Sequence, residues 1–109
     1  MSNFNYASLT ATSNTGSAFS ICTATVSAIA GKNLQVVGFD GSSSDQAYQV
    51  ELQVNNSTIL TMHGSADNTV GRHFGEAGPI ATAGQDLDVV VTGDAAGDMV
   101  GNIIYRIVM

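Results

Sequence analysis

Between Tyr48 and Val54 apolar and polar residues alternate without a slip: Tyr48, Val50, Leu52 and Val54 are separated by Gln49, Glu51 and Gln53. Successive side chains of an extended strand point to opposite faces, so this is the pattern of a strand with one buried face. Asn55-Asn56 follows. Asn tolerates the positive φ angles of a tight two-residue hairpin, so a return strand is expected from about Ser57 to His63.

The period of two recurs along the chain. Phe19 to Val26 alternates in size and polarity, and Lys32 to Phe39 reads as a further strand. That strand is entered through Gly31 and ended by the turn-like run Asp40-Gly41-Ser42-Ser43-Ser44-Asp45. A short strand is expected around Val70 to Phe74. Gly75 to Gly84, which contains the only proline, Pro79, then redirects the chain. Asp86 to Thr92 and Met99 to Val108 supply the last two strands, with a turn over Gly93 to Asp98 between them. No stretch shows a helical period with capping residues at both ends. The expected fold class is all-β: an antiparallel β-sandwich, jelly-roll-like, of seven or eight short strands.

A chain of 109 residues holds one domain. We divide it into a polar N-terminal arm over 1–18 and a β-sandwich domain over 19–109. The arm is rich in Ser, Thr, Asn and Gly, with Phe4, Tyr6 and Leu9 as isolated apolar anchors for a neighbour or for the chain's own domain. In the last strand Met99, Ile103, Tyr105 and Ile107 form a core face. The opposite face carries Val100, Asn102, Ile104, Arg106 and Val108. Aliphatic residues beside a charge mean that this second face is covered, by a loop or the arm in one reading. In the other it meets a second subunit, with Arg106 pairing across the contact.

Charge narrows the function. Nine acids face three bases, Lys32, Arg72 and Arg106, for a net charge of −6. Three scattered cations do not neutralise a nucleic-acid backbone or hold an anionic membrane, so neither is an expected partner. Residues 1–18 lack the apolar stretch of a secretory leader, and no run approaches the roughly 18 apolar residues of a membrane span. Synthesis in a reducing cytoplasm is the expectation, with Cys22 a buried, inert thiol.

No catalytic, cofactor or metal residue is assigned. His63 and His73 stand without a nucleophile elbow or zinc-ligand spacing. The Asp40–Asp45 run lacks the alternating ligands and closing Glu of a calcium loop, and Asp94 and Asp98 read as turn residues. Glu51 and Glu76, the only glutamates, do not select a carboxylate pair for glycoside hydrolysis. Gly75-Glu76-Ala77-Gly78-Pro79 precedes no helix and so is no phosphate cradle.

From Gly31 to Val108 the chain resembles small structural proteins encoded in the virion gene clusters of tailed bacteriophages. The likeness runs through Gly31-Lys32-Asn33-Leu34-Gln35-Val36-Val37-Gly38-Phe39, the hairpin Tyr48 to Met62, and Phe74-Gly75-Glu76-Ala77-Gly78-Pro79-Ile80. It continues through Ala83-Gly84-Gln85-Asp86-Leu87 and Gly101-Asn102-Ile103-Ile104-Tyr105-Arg106-Ile107-Val108. The chain departs from that pattern in its polar arm and in lacking Trp in the Gly/Pro segment. The resemblance implies a capsid decoration, or cement, protein that sits as a homotrimer on the capsid exterior and stabilises the lattice of the major capsid protein. Phe4, Tyr6, Leu9, Ile104, Arg106 and Val108 are then its candidate subunit or capsid contacts. The alternative is a host-adhesion or carbohydrate-binding β-sandwich module that uses the loops over 40–46, 64–69 and 93–98.

Overall fold

The computed structural model describes residues 9–14, 21–44, 47–65, 68–93 and 98–108. Among them are nine strands: β1 Leu9–Asn14, β2 Ile21–Val26, β3 Asn33–Ser43, β4 Tyr48–Val54, β5 Ser57–Gly64, β6 Thr69–His73, β7 Ile80–Ala81, β8 Leu87–Gly93 and β9 Asp98–Val108. A single 3-10 turn, Gly75–Ala77, lies between β6 and β7. One sheet runs β1-β9-β3-β6, with β7 also paired to β3, and the other runs β2-β8-β4-β5. Every pairing is antiparallel. Successive strands cross from sheet to sheet except at the β4–β5 hairpin and between β6 and β7. This is the strand order of a jelly roll.

The hairpin forms as its sequence dictates, with Asn55 at φ 52° and Asn56 at φ 66°. Alternation then sorts the side chains. Val50, Leu52, Leu87, Val89 and Val91 of the four-stranded sheet meet Leu34, Val36, Phe39, Met99 and Ile103 of the other in one buried core. Cys22 and Tyr48 belong to the same cluster.

Two segments differ from the sequence reading. The turn expected at Asp40 begins later, because β3 continues to Ser43. Gly41 looks like a turn signal, yet it faces the core: a Cβ there would lie 2.8 Å from Val50 and 2.9 Å from Val91. It is glycine because the opposite sheet approaches too closely for a side chain. Leu9–Asn14, within the segment read as an arm, pairs with Asp98–Ile103 at the sheet edge. Its polarity hid it, since an edge strand needs hydrogen-bonding backbone more than apolar side chains. Phe4 and Tyr6 lie outside the described residues.

Burial raises the Cys22 thiol above its ordinary value of 9.0, against a smaller lowering by a backbone hydrogen bond involving Gly101. Burial likewise raises the Tyr48 phenol above 10.0, and its hydroxyl donates to the Asn68 carbonyl. Both groups keep their protons longer folded than unfolded. Stability is therefore unaffected below the ordinary thiol value and falls as pH rises through it and then through the phenol value. Urea midpoints taken from neutral to alkaline pH should decline above 9.0, and Cys22→Ala should remove the earlier part of that decline.

Candidate functional site

Register places six residues of three strands in a grid on the outer face of the five-stranded sheet. Ile104 of β9 lies opposite Gly38 of β3, which lies opposite His73 of β6. In the next row Asn102 lies opposite Asp40, which lies opposite Gly71. Directly opposed residues of an antiparallel pair share a face, and Ile103 and Phe39 behind them are in the core, so these six face outward. Two of the positions are glycine. The result is a hollow of about 290 Å³ lined by Gly38, Phe39, Asp40, Gly71, Arg72, His73 and Ile104.

Each wall is held in place. Asn102 donates its Nδ2 to Asp40 Oδ1 at 2.7 Å, which fixes the carboxylate and uses one of its roughly four acceptor positions. The Arg72 guanidinium lies over the Phe74 ring, 5.8 Å from its centroid, and Phe74 stacks on Phe39 at 6.1 Å. Gly71 is required by the strand pairing itself, because a Cβ there would collide with the Phe39 carbonyl and with Asp40. Acid, imidazole and aliphatic wall thus converge on one small opening, with the Asn102 amide behind the acid.

Of the residues singled out in the sequence, Ile104 borders this hollow. Val108 lies half-buried at the end of the same face, opposite Asn33. Leu9 begins β1, opposite Ile103. Arg106 has partners within its own chain. Its Nε donates to Gln35 Oε1 at 2.5 Å, and Gln35 Nε2 donates to the carbonyls of Glu76 at 3.0 Å and Gly78 at 2.9 Å. Arg106 Nη1 also stands 3.6 Å from Glu76 Oε1. The segment around the 3-10 turn therefore closes over the Arg106 end of the face.

The other sheet turns a flat polar face outward. Glu51 accepts from Gln49 at 2.5 Å, from Thr58 at 2.7 Å and from Gln53 at 3.4 Å. Thr25 donates to Asp88 at 2.5 Å. His63 is exposed on β5. Of the three loops considered for adhesion, 40–46 is strand as far as Ser43. Residues 45–46, 66–67 and 94–97 lie outside the described residues. Among those described, no three His, Cys, Asp or Glu residues gather in a metal-holding group. Sequence reasoning missed the hollow because its floor and walls come from segments more than thirty residues apart, and a glycine within an expected strand does not announce what lies beside it.

No family model matches the chain, and no curated protein matches it by sequence. Among solved structures, it is similar to the CBM36-1 domain of a multidomain xylanase from the hindgut metagenome of Trinervitermes trinervoides. That match has a TM-score of 0.50 at 14% identity and covers 96% of this chain and 98% of the domain. The insecticidal delta-endotoxin Cry8Ea1 from Bacillus thuringiensis is similar at a TM-score of 0.50 and 9% identity, over 84% of this chain and 19% of the toxin. At these identities the likeness is one of fold: a β-sandwich.

The two contacts of Arg106 differ in weight. A short hydrogen bond from a buried guanidinium contributes about 1.5–3 kcal/mol, whereas a pair to a 70% exposed carboxylate contributes about 0–1 kcal/mol. Arg106→Ala should lower stability by about 1.5–3 kcal/mol, and Glu76→Gln by less than about 1 kcal/mol, both read from urea denaturation midpoints.

Proposed function

We propose that this protein is a non-catalytic β-sandwich binding module whose hollow above Gly38 and Gly71 takes one ring of a neutral carbohydrate. The observation that carries this reading is the Asp40–Asn102 pair set beside a glycine floor and an aliphatic wall. Adjacent sugar hydroxyls each donate and accept. A carboxylate that only accepts, beside an amide and an imidazole that do both, answers that pattern. Ile104 offers the C–H face of the ring an apolar surface. At 290 Å³ the hollow lies at the lower limit of ligand pockets, which suits a single unit or a chain end.

Other ligand classes fit less well. Asp40 stands among the lining residues together with Arg72 and His73, so the hollow has mixed sign and no excess of cations for a phosphate. Among the described residues that line it Asp40 is the only carboxylate, whereas most glycoside hydrolases use two. The similarity in fold to a carbohydrate-binding module agrees with this reading, which rests on the hollow itself. A glycan array should return neutral saccharides. Asp40→Asn, which removes the charged acceptor, should weaken the best of them by about 10- to 100-fold by calorimetry. Glu51→Gln, on the opposite sheet, should leave the affinity unchanged. An array without hits, or hits indifferent to Asp40→Asn, overturns the proposal.

A second reading follows from the aliphatic residues on the outer face of β9. Ile104 and Val108 keep part of their surface open, as a contact face would. This favours the cement-type virion protein, bound as a trimer to the major capsid protein on the capsid exterior. Its signature is a trimer that persists on dilution in native mass spectrometry and co-sediments with expanded heads. A protein that fails to stay on such heads is not a cement protein.

A further inference from the structure

An edge strand presents a row of unpaired backbone donors and acceptors, and proteins defend such edges with charge, proline, short length or bulges. The β6/β7 edge is defended. Its strands are five and two residues long, it carries Arg72 and His73, and Pro79 precedes β7. The other sheet has two edges, β2 and β5; β5 is the longer, eight residues against six, and among the described residues it pairs with β4 alone. From Asn55 to Ser65 there is no Lys, Arg, Asp, Glu or Pro. Ile59 is 46% exposed, and Leu60 and Met62 pack on the core yet remain partly open to solvent.

We infer that β5 pairs with β5 of a second copy of this chain, antiparallel about a twofold axis, to make one continuous eight-stranded sheet. Antiparallel pairing makes any strand complementary to itself, so one patch serves both copies. The single bulge fixes where pairing occurs. The register shifts between Leu52 and Gln53 of β4, leaving Ile59 as the extra residue on β5. Leu60–Gly64 is the regular stretch beyond it. Pairing these five residues about Met62 sets Leu60 opposite Gly64 of the second copy and Thr61 opposite its His63. The two Met62 side chains then meet on the core side and cover each other's open edge.

Charge points to the same place. With a net charge of −6, two copies approach most readily where neither presents an acid. Among the described residues the nearest acid on this face, Glu51, sits one strand inward on β4. Two Glu51 carboxylates would be separated by three strand spacings, about 14 Å, beyond the Debye length of about 8 Å at physiological ionic strength.

The test is native mass spectrometry over a concentration series. The wild-type protein should show monomer and dimer, with the dimer growing as concentration rises. Thr61→Lys/His63→Lys places like charges directly opposite each other across the pairing and should abolish the dimer. Thr61→Glu/His63→Glu should do the same, and mixing the two variants should restore a dimer as the heteromer. Both positions are exposed, and matching thermal melts check that the fold is kept. Amide exchange over residues 57–64 of the wild-type protein should slow with concentration. A monomer throughout, a trimer, a dimer that survives the double Lys substitution, or a mixture that does not re-form one overturns the inference. The readout is mass, so it is independent of whether the hollow binds sugar.

Discussion

Gly41 of β3 and Gly101 of β9 lie opposite each other on the face turned toward the other sheet. A side chain at Gly41 would strike Val50 and Val91, and one at Gly101 would reach 3.4 Å from Val89. Val50 and Val91 thus occupy the space that a side chain at Gly41 would need, while a Cβ at Gly101 would make ordinary contact with Val89. Close packing of this kind determines which face of each central strand is inside, and a slip of one residue would turn every side chain over. Asp40 and Asn102 each sit one position before a glycine of this pair or after one. Holding Gly41 and Gly101 inward holds that acid and that amide outward and side by side. That outward pair is a by-product of how the core closes.

The fold was largely legible in the sequence because its information is local. Alternation over Tyr48–Val54 and the two Asn residues at positive φ needed no knowledge of the rest of the chain. The two faces of β9 were separable by parity alone. Where the reading failed, a residue's role depended on a distant partner. Gly41 reads as a turn until Val50 and Val91 are set against it. Leu9–Asn14 reads as an arm until β9 supplies its hydrogen bonds.

The candidate site was less legible for the same reason. Gly38, Gly71, Asp40 and Ile104 come from three strands, and no spacing along the chain announces their meeting. Arg106 stood out as a charge among aliphatics, but its partners were not readable. Gln35 reaches it through strand pairing, and Glu76 through a loop that the Gln35 amide fastens by two carbonyls. That loop closes one end of the face and leaves the Ile104 end open, so the opening's position follows from where the cover stops.

Gly71 has a wider consequence. Strand pairing forbids a Cβ there, since it would meet the Phe39 carbonyl. At its Gly71 end the floor of the hollow therefore cannot be raised or given a functional group without loosening β6 from β3. Change is left to the residues around it, Ile104, His73 and Gly38, where a Cβ would stand 3.3 Å from the Arg72 carbonyl. The depth of the hollow at that end is inherited from the scaffold, while the chemistry of its border is free to vary.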